Sequence, residues 1–173
     1  MNRRTFLETT LTSAAAAVTL SGSAAETSGS VHQLKMGLIG CGGYGMNDLK
    51  AALKAGGVEC IALCDVDSEH LQSAAVQVEK LQGARPKTFK LYAEMLAIPG
   101  LEAVIIATPP HWHALPFIAA LEHKLDVYCE KPLAYDIRED RAMVEAFRKS
   151  GRIVQIGFQR RQSAAIQQAR QYL

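Results

Sequence analysis

From Leu34 onward, short apolar runs alternate with stretches of helical period. The runs are Lys35–Ile39, Val58–Cys64, Ala103–Ala107, Asp126–Cys129 and Ile153–Gly157, with a weaker one near Thr88–Leu91. Consecutive apolar positions suit strands covered on both faces, as in a parallel sheet. Between them, Leu71, Ala74, Ala75 and Val78 fall at i, i+3, i+4 and i+7 and share one helix face. Asp67 is placed to cap that helix and Gly83 to end it. Asp136-Ile137-Arg138-Glu139 has capping-box-like spacing with Asp as the cap, and Gly151 closes the helix that follows. Strand and helix alternating at this length predict βαβ units with right-handed crossovers, an α/β fold built on a doubly wound parallel sheet.

Composition narrows the class. Of 173 residues, 49% are hydrophobic and 21% charged, with mean hydropathy +0.02. Those proportions exclude a disordered, collagen-like or polytopic membrane chain. The formal net charge is +2, so no electrostatic footprint for nucleic acid is present.

The first residues read as an address. Arg3 and Arg4 precede a mildly apolar stretch, Leu11 to Leu20, and Ser23-Ala24-Ala25 forms an acceptable cleavage signal. This arrangement resembles a twin-arginine export signal over residues 1–25, which places the protein in the periplasm or outside the cell. The apolar stretch is well short of the roughly 20 residues a membrane span needs. Residues 26–33, rich in Ser, Thr and Gly, read as a linker.

Gly40-Cys41-Gly42-Gly43-Tyr44-Gly45 follows the first apolar run directly and opens a helical pattern. In this G-x-G-x-x-G turn, Gly40 permits the tight bend, Gly42 lets a pyrophosphate approach the backbone, and Gly45 lets helix and strand pack closely. Free N–H groups and the positive end of the helix dipole suit the phosphates, with Gly43 and Tyr44 in the same turn. Asp65 ends the second run, twenty residues past Gly45. Its carboxylate can accept the ribose hydroxyls of an adenosine and would repel a 2′-phosphate. No Arg follows at Val66, so the pattern favours NAD over NADP. A site for S-adenosylmethionine uses a similar loop and acid, so later motifs must decide.

Two such motifs follow predicted strand ends, where open α/β sheets place their ligands. They are Thr108-Pro109-Pro110-His111-Trp112-His113 and Glu130-Lys131-Pro132. With the glycine turn and Gly157-Phe158-Gln159-Arg160-Arg161, they make the chain resemble the Gfo/Idh/MocA oxidoreductases from about Leu34 to Leu173. The resemblance implies a Rossmann-type domain and a nicotinamide-dependent enzyme acting on a sugar or polyol. It implies that Gly40 to Gly45 and Asp65 hold adenosine and pyrophosphate, while Thr108, Pro109 and His113 line the cofactor's path. Glu130 and Lys131 would lie beside the nicotinamide, with Lys131 also touching substrate as the catalytic residue. Gln159 and Arg161 would border the nicotinamide and sugar pocket. Hydride transfer from a carbinol needs a group that takes the hydroxyl proton, and Lys131 can polarise the oxygen or relay that proton.

Other readings of these residues stay open. An NAD-dependent glycoside hydrolase of the same superfamily and a non-catalytic nucleotide-binding module are the alternatives. His111 and His113 have H-x-H spacing but no third ligand nearby, so no metal is expected. Arg160-Arg161 also suits a solvated face. Cys41, Cys60, Cys64 and Cys129 form no C-x-x-C and read as isolated reduced thiols; Cys60 and Cys64 lie too far apart on one strand to bridge.

Two positions depart from the family pattern. Pro110 stands where relatives usually carry Asp or Asn. Lys124 stands where a glycine usually precedes the next strand, at a cost of about 1–2 kcal/mol if that backbone is left-handed. The expected organisation is a Rossmann domain over 34–160 and, over 161–173, the start of a second domain that in relatives shapes the sugar pocket and mediates oligomerisation. As a nucleotide-binding half, the chain is expected to hold NAD with little or no turnover.

Overall fold

The computed structural model describes residues 32–172; the export signal and most of the linker read from the sequence lie outside them. Six strands form one parallel sheet: β1 (Leu34–Ile39), β2 (Val58–Cys64), β3 (Lys87–Phe89), β4 (Ala103–Ile106), β5 (Asp126–Glu130) and β6 (Val154–Gly157). Their order is β3-β2-β1-β4-β5-β6, with every pairing parallel. The central strands are buried on both sides, which is why β4 reads Ala-Val-Ile-Ile without alternation.

Five helices carry the crossovers: α1 (Gly43–Ala55), α2 (Ser68–Gln82), α3 (Tyr92–Leu96), α4 (Ala114–Glu122) and α5 (Ile137–Ser150). Two apolar layers result. Met46 and Leu49 of α1 and Ala74, Ala75 and Val78 of α2 pack on Met36, Leu38, Cys60, Leu63 and Ile105. On the opposite face, Met95, Phe117, Leu121 and Met143 pack on Ile39, Val104, Ile106, Val127 and Cys129. The chain changes face between β3 and β4, and that reversal opens a crevice at the carboxyl ends of β1 and β4.

The helix ends follow the local chemistry. The Asp67 side chain accepts from the Glu69 and His70 N–H groups, and Gly83 ends α2 with φ +79°. Asp136 accepts from Arg138 and Glu139 N–H. The Glu139 carboxylate reaches back past the cap to the Tyr135 N–H, one residue earlier than a capping box requires. Lys124 is left-handed, with φ +61°. Lys124 N–H donates to Leu121 O and Leu125 N–H to Ala120 O, the paired bonds of a Schellman ending to α4.

The differences from the sequence pattern are local. Lys90 and Leu91 leave the third strand, because Leu91 is the extended residue before α3, a five-residue helix the periodicity does not reveal. Ala107 lies just beyond β4. After β6 come a 3₁₀ turn, Gln159–Gln162, and α6 (Ala164–Ala169), which is capped by Ser163 and buries no residue. Among the described residues, no helix is long and apolar enough to cross a membrane.

Candidate functional site

The glycine turn sits at the mouth of the crevice. Gly40 has φ +94°, and a Cβ there would stand 2.7 Å from the Ala107 carbonyl group. Gly45 backs onto the sheet: a side chain would run into the Gly40 carbonyl oxygen and lie 3.2 Å from Leu38 Cδ1. Gly42 and Gly43 differ, since a Cβ at either would meet nothing within 4 Å. Gly42 is the N-cap of α1 and supplies no side-chain cap, so first-turn N–H groups face open space. Open room above uncapped donors at a helix start is the shape and polarity that a dinucleotide pyrophosphate requires.

Asp65 is fixed to this turn. Its Oδ2 accepts from the Cys41 N–H at 2.6 Å and its Oδ1 from the Asp67 N–H at 2.9 Å. A carboxylate has about four lone-pair directions, so these two bonds leave capacity for a ribose diol. Asp67, and not Asp65, caps α2. A cleft of about 770 Å³ runs from Asp65 past Gly42 and Tyr44 to Thr108, Pro109 and Trp112. His70 and Lys90, which sequence reasoning passed over, line it as well.

His113 does not line this cleft. It is 1% exposed, with Nδ1 2.8 Å from Pro132 O and Nε2 2.7 Å from Thr108 O. The ring is a strut joining the loop after β4 to the loop after β5, which corrects the expected cofactor-lining role. Thr108 donates its hydroxyl to Trp112 O, tightening the 3₁₀ turn Pro110–Trp112. His111 packs edge-on against the Tyr135 ring.

At the end of β5, Glu130 is buried and surrounded by donors: Tyr128 OH at 3.3 Å, Lys131 N–H at 3.2 Å, and the Gln159 amide. Gly157 makes room for it, since any side chain there would overlap the Glu130 carboxyl. Exposed Lys131 reaches back over the glycine turn, with Nζ 5.4 Å from the Tyr44 ring centroid. Glu130, Gln159, Lys131 and Tyr44 therefore form one neighbourhood. Arg161 stacks on the Phe158 ring at 4.9 Å and joins none of these residues.

Asp48 of α1 completes the neighbourhood and was missed from the sequence. Burial first, then the charge of Glu130, pushes its carboxyl up to about 6. Burial likewise pushes Tyr128, Cys60, Cys64 and Cys129 up to about 12, and the Cys41 thiol up further. All four cysteines are free and buried. They are inert thiols at neutral pH.

A 3-2-1-4-5-6 parallel sheet with a glycine turn at its switch point and an acid at the end of β2 defines a dinucleotide-binding Rossmann domain. The chain belongs to the Gfo/Idh/MocA group, the oxidoreductase family with an NAD-binding Rossmann fold, whose model matches residues 34–158. The inositol 2-dehydrogenase of Salmonella typhimurium is 36% identical over 130 residues, covering 74% of this chain and 38% of the relative. The WlbA dehydrogenase of Chromobacterium violaceum, solved with NADH and UDP-GlcNAcA, superposes with TM-score 0.74 at 27% identity, over 81% of this chain and 39% of that one. The myo-inositol dehydrogenase of Lactobacillus casei, solved with NAD(H) and myo-inositol, gives 0.72 at 25% identity, over 81% and 41%. The chain thus spans about two-fifths of the length of these relatives.

Proposed function

We propose that this chain forms the nucleotide-binding part of an exported NAD-dependent dehydrogenase that oxidises a carbinol of a sugar or polyol. The observation that carries the reading is the reach of Lys131 across Tyr44, which sets an exposed amine beside the turn suited to the pyrophosphate. The α1 N–H groups at Gly42 to Gly45 hold the diphosphate, Asp65 takes the ribose hydroxyls, and Thr108 and Pro109 form the facing wall. When bound, the oxidised nicotinamide supplies the hydride acceptor. Lys131, entering as the neutral amine, binds the substrate oxygen and takes the hydroxyl proton onto Nζ, becoming the ammonium. Glu130 and Gln159 keep the turn that carries Lys131 in place. The inositol dehydrogenases among the similar proteins support a polyol as the substrate class.

Calorimetric titration of the chain with NAD, NADP and S-adenosylmethionine tests the reading. NAD is expected to bind, NADP more weakly, and S-adenosylmethionine not at all; absence of NAD binding overturns it. For export, Arg3→Lys with Arg4→Lys is expected to retain the protein in the cytoplasm, and unchanged secretion refutes that part.

A further inference from the structure

Asp48 Oδ2 is buried and has no hydrogen-bond donor. The Asp48 carboxyl meets the Glu130 carboxyl at the end of β5, with the Gln159 amide and the Lys131 charge beside it; burial and Glu130 outweigh these two and push the Asp48 carboxyl up. Two ionised carboxylates offer only acceptors to each other, and burial weakens the solvent screening that would let them coexist. One proton between them removes both problems: it gives the orphaned oxygen a partner and cancels one of two facing charges. Glu130 already receives donors from Tyr128, Lys131 and Gln159, so its ionised form is the better supplied. The proton accordingly resides on Asp48.

We propose that Asp48 and Glu130 share a single proton and act together as a positioning pair, tying the Glu130–Lys131 turn to α1 and so fixing where Lys131 presents its amine. The link to catalysis rests on the dehydrogenase reading above; the shared proton does not. The groups facing the pair are Tyr128 and Cys129 of β5, the Lys131 ammonium, and the neutral Gln159 amide. Tyr128 and Cys129 stay uncharged well above neutral pH, so neither adds a charge change where the Asp48 carboxyl titrates, near 6.

The sign of the effect follows from linkage. The folded chain keeps a proton that the unfolded chain releases near the ordinary carboxyl range of about 4. The pair's contribution to stability is therefore greatest below that range, declines as pH rises toward about 6, and is level above it. Asp48→Asn replaces the shared proton with an amide donor that pH does not remove.

The test uses the 173-residue chain without cofactor. Carbon-13 resonances of the Asp48 carboxyl are expected to titrate with a midpoint near 6, and the ε-methylene resonances of Lys131, which lies over the Tyr44 ring, to move with that midpoint. In Asp48→Asn the Lys131 signals are expected to be flat between pH 5 and 7, and its Tm relative to the native chain to rise from pH 4.5 to pH 8. A midpoint near 4, or Lys131 signals indifferent to pH in the native chain, overturns the proposal; both are read without any variant. NAD titration of the same sample is scored separately: a pair that titrates near 6 in a chain that does not bind NAD removes the dehydrogenase reading and leaves the pair intact.

Discussion

The Asp65 carboxylate holds the glycine turn from below, its Oδ2 2.6 Å from the Cys41 backbone nitrogen. One residue thus shapes the turn and presents acceptors to a ribose. Asp65→Asn would set an amide donor against either the Cys41 or the Asp67 N–H, since both carboxylate oxygens are engaged. Loss of one charge-assisted bond is worth about 1.5–3 kcal/mol, so NAD affinity should fall about ten- to a hundredfold. NADP should lose less, because the repulsion of a 2′-phosphate goes with the charge and Lys90 lines the same cleft. Calorimetry with both cofactors measures this; an unchanged NAD affinity would remove Asp65 from the site.

Gly42 and Gly45 separate ligand space from packing space. Gly42→Ala meets nothing within 4 Å and keeps an ordinary φ of −67°, so the fold should be unaffected while NAD binding weakens. Gly45→Ala drives a methyl group into the Gly40 carbonyl, an overpacking that typically costs about 1–3 kcal/mol. Its Tm should drop even without cofactor. Thermal melts of the two variants with and without NAD check the contrast, and equal Tm values in its absence would refute it.

Much of this was legible before the structure. The central strand β4 announced itself as an unbroken apolar run because both faces of the sheet are covered there, whereas the edge strands β3 and β6 carry polar, exposed positions and left a weaker signal; Asp67 and Asp136 named their helix starts. The glycine turn and Asp65 could be paired because their spacing is set by one βαβ unit. His113 was misplaced: a histidine in a loop at a strand end reads the same whether it faces the cleft or braces the loop, and only the carbonyls of Thr108 and Pro132 decide. Asp48 left a faint signal. It lies three residues after Gly45, on the side of α1 that approaches the sheet, where a carboxylate needs a partner. That the group brought beside it is Glu130, from the end of a distant strand, follows from tertiary packing that no local pattern holds.

His113 is therefore predicted to matter for stability before it matters for binding. His113→Ala removes a fully buried ring that sits between the Thr108 and Pro132 carbonyls, takes away the one N–H donor a neutral imidazole offers them, and opens a void beneath the crevice. The lost hydrogen bond costs about 1–3 kcal/mol and the void left by a buried ring adds to it, so the chain should be destabilised by a few kcal/mol in urea. NAD affinity should weaken in step as the two loops part. A variant with native stability and reduced NAD binding would restore the direct cofactor contact expected from the sequence.

Lys124 offers the opposite sign. Its φ of +61° places a Cβ-bearing residue where glycine is at ease, in a Schellman ending whose two backbone bonds are already made. Lys124→Gly removes a local penalty of about 1–2 kcal/mol. Part of that gain is returned because glycine is freer in the unfolded chain, about 0.4–1 kcal/mol. The net expectation is a rise of up to about 1.6 kcal/mol, or a few degrees in Tm for a domain of this size. The lysine is exposed and far along the chain from the glycine turn, so NAD affinity should not change. A fall in Tm would mean that the side chain contributes a contact outweighing its strained backbone, and would reverse the reading of this position as a tolerated defect.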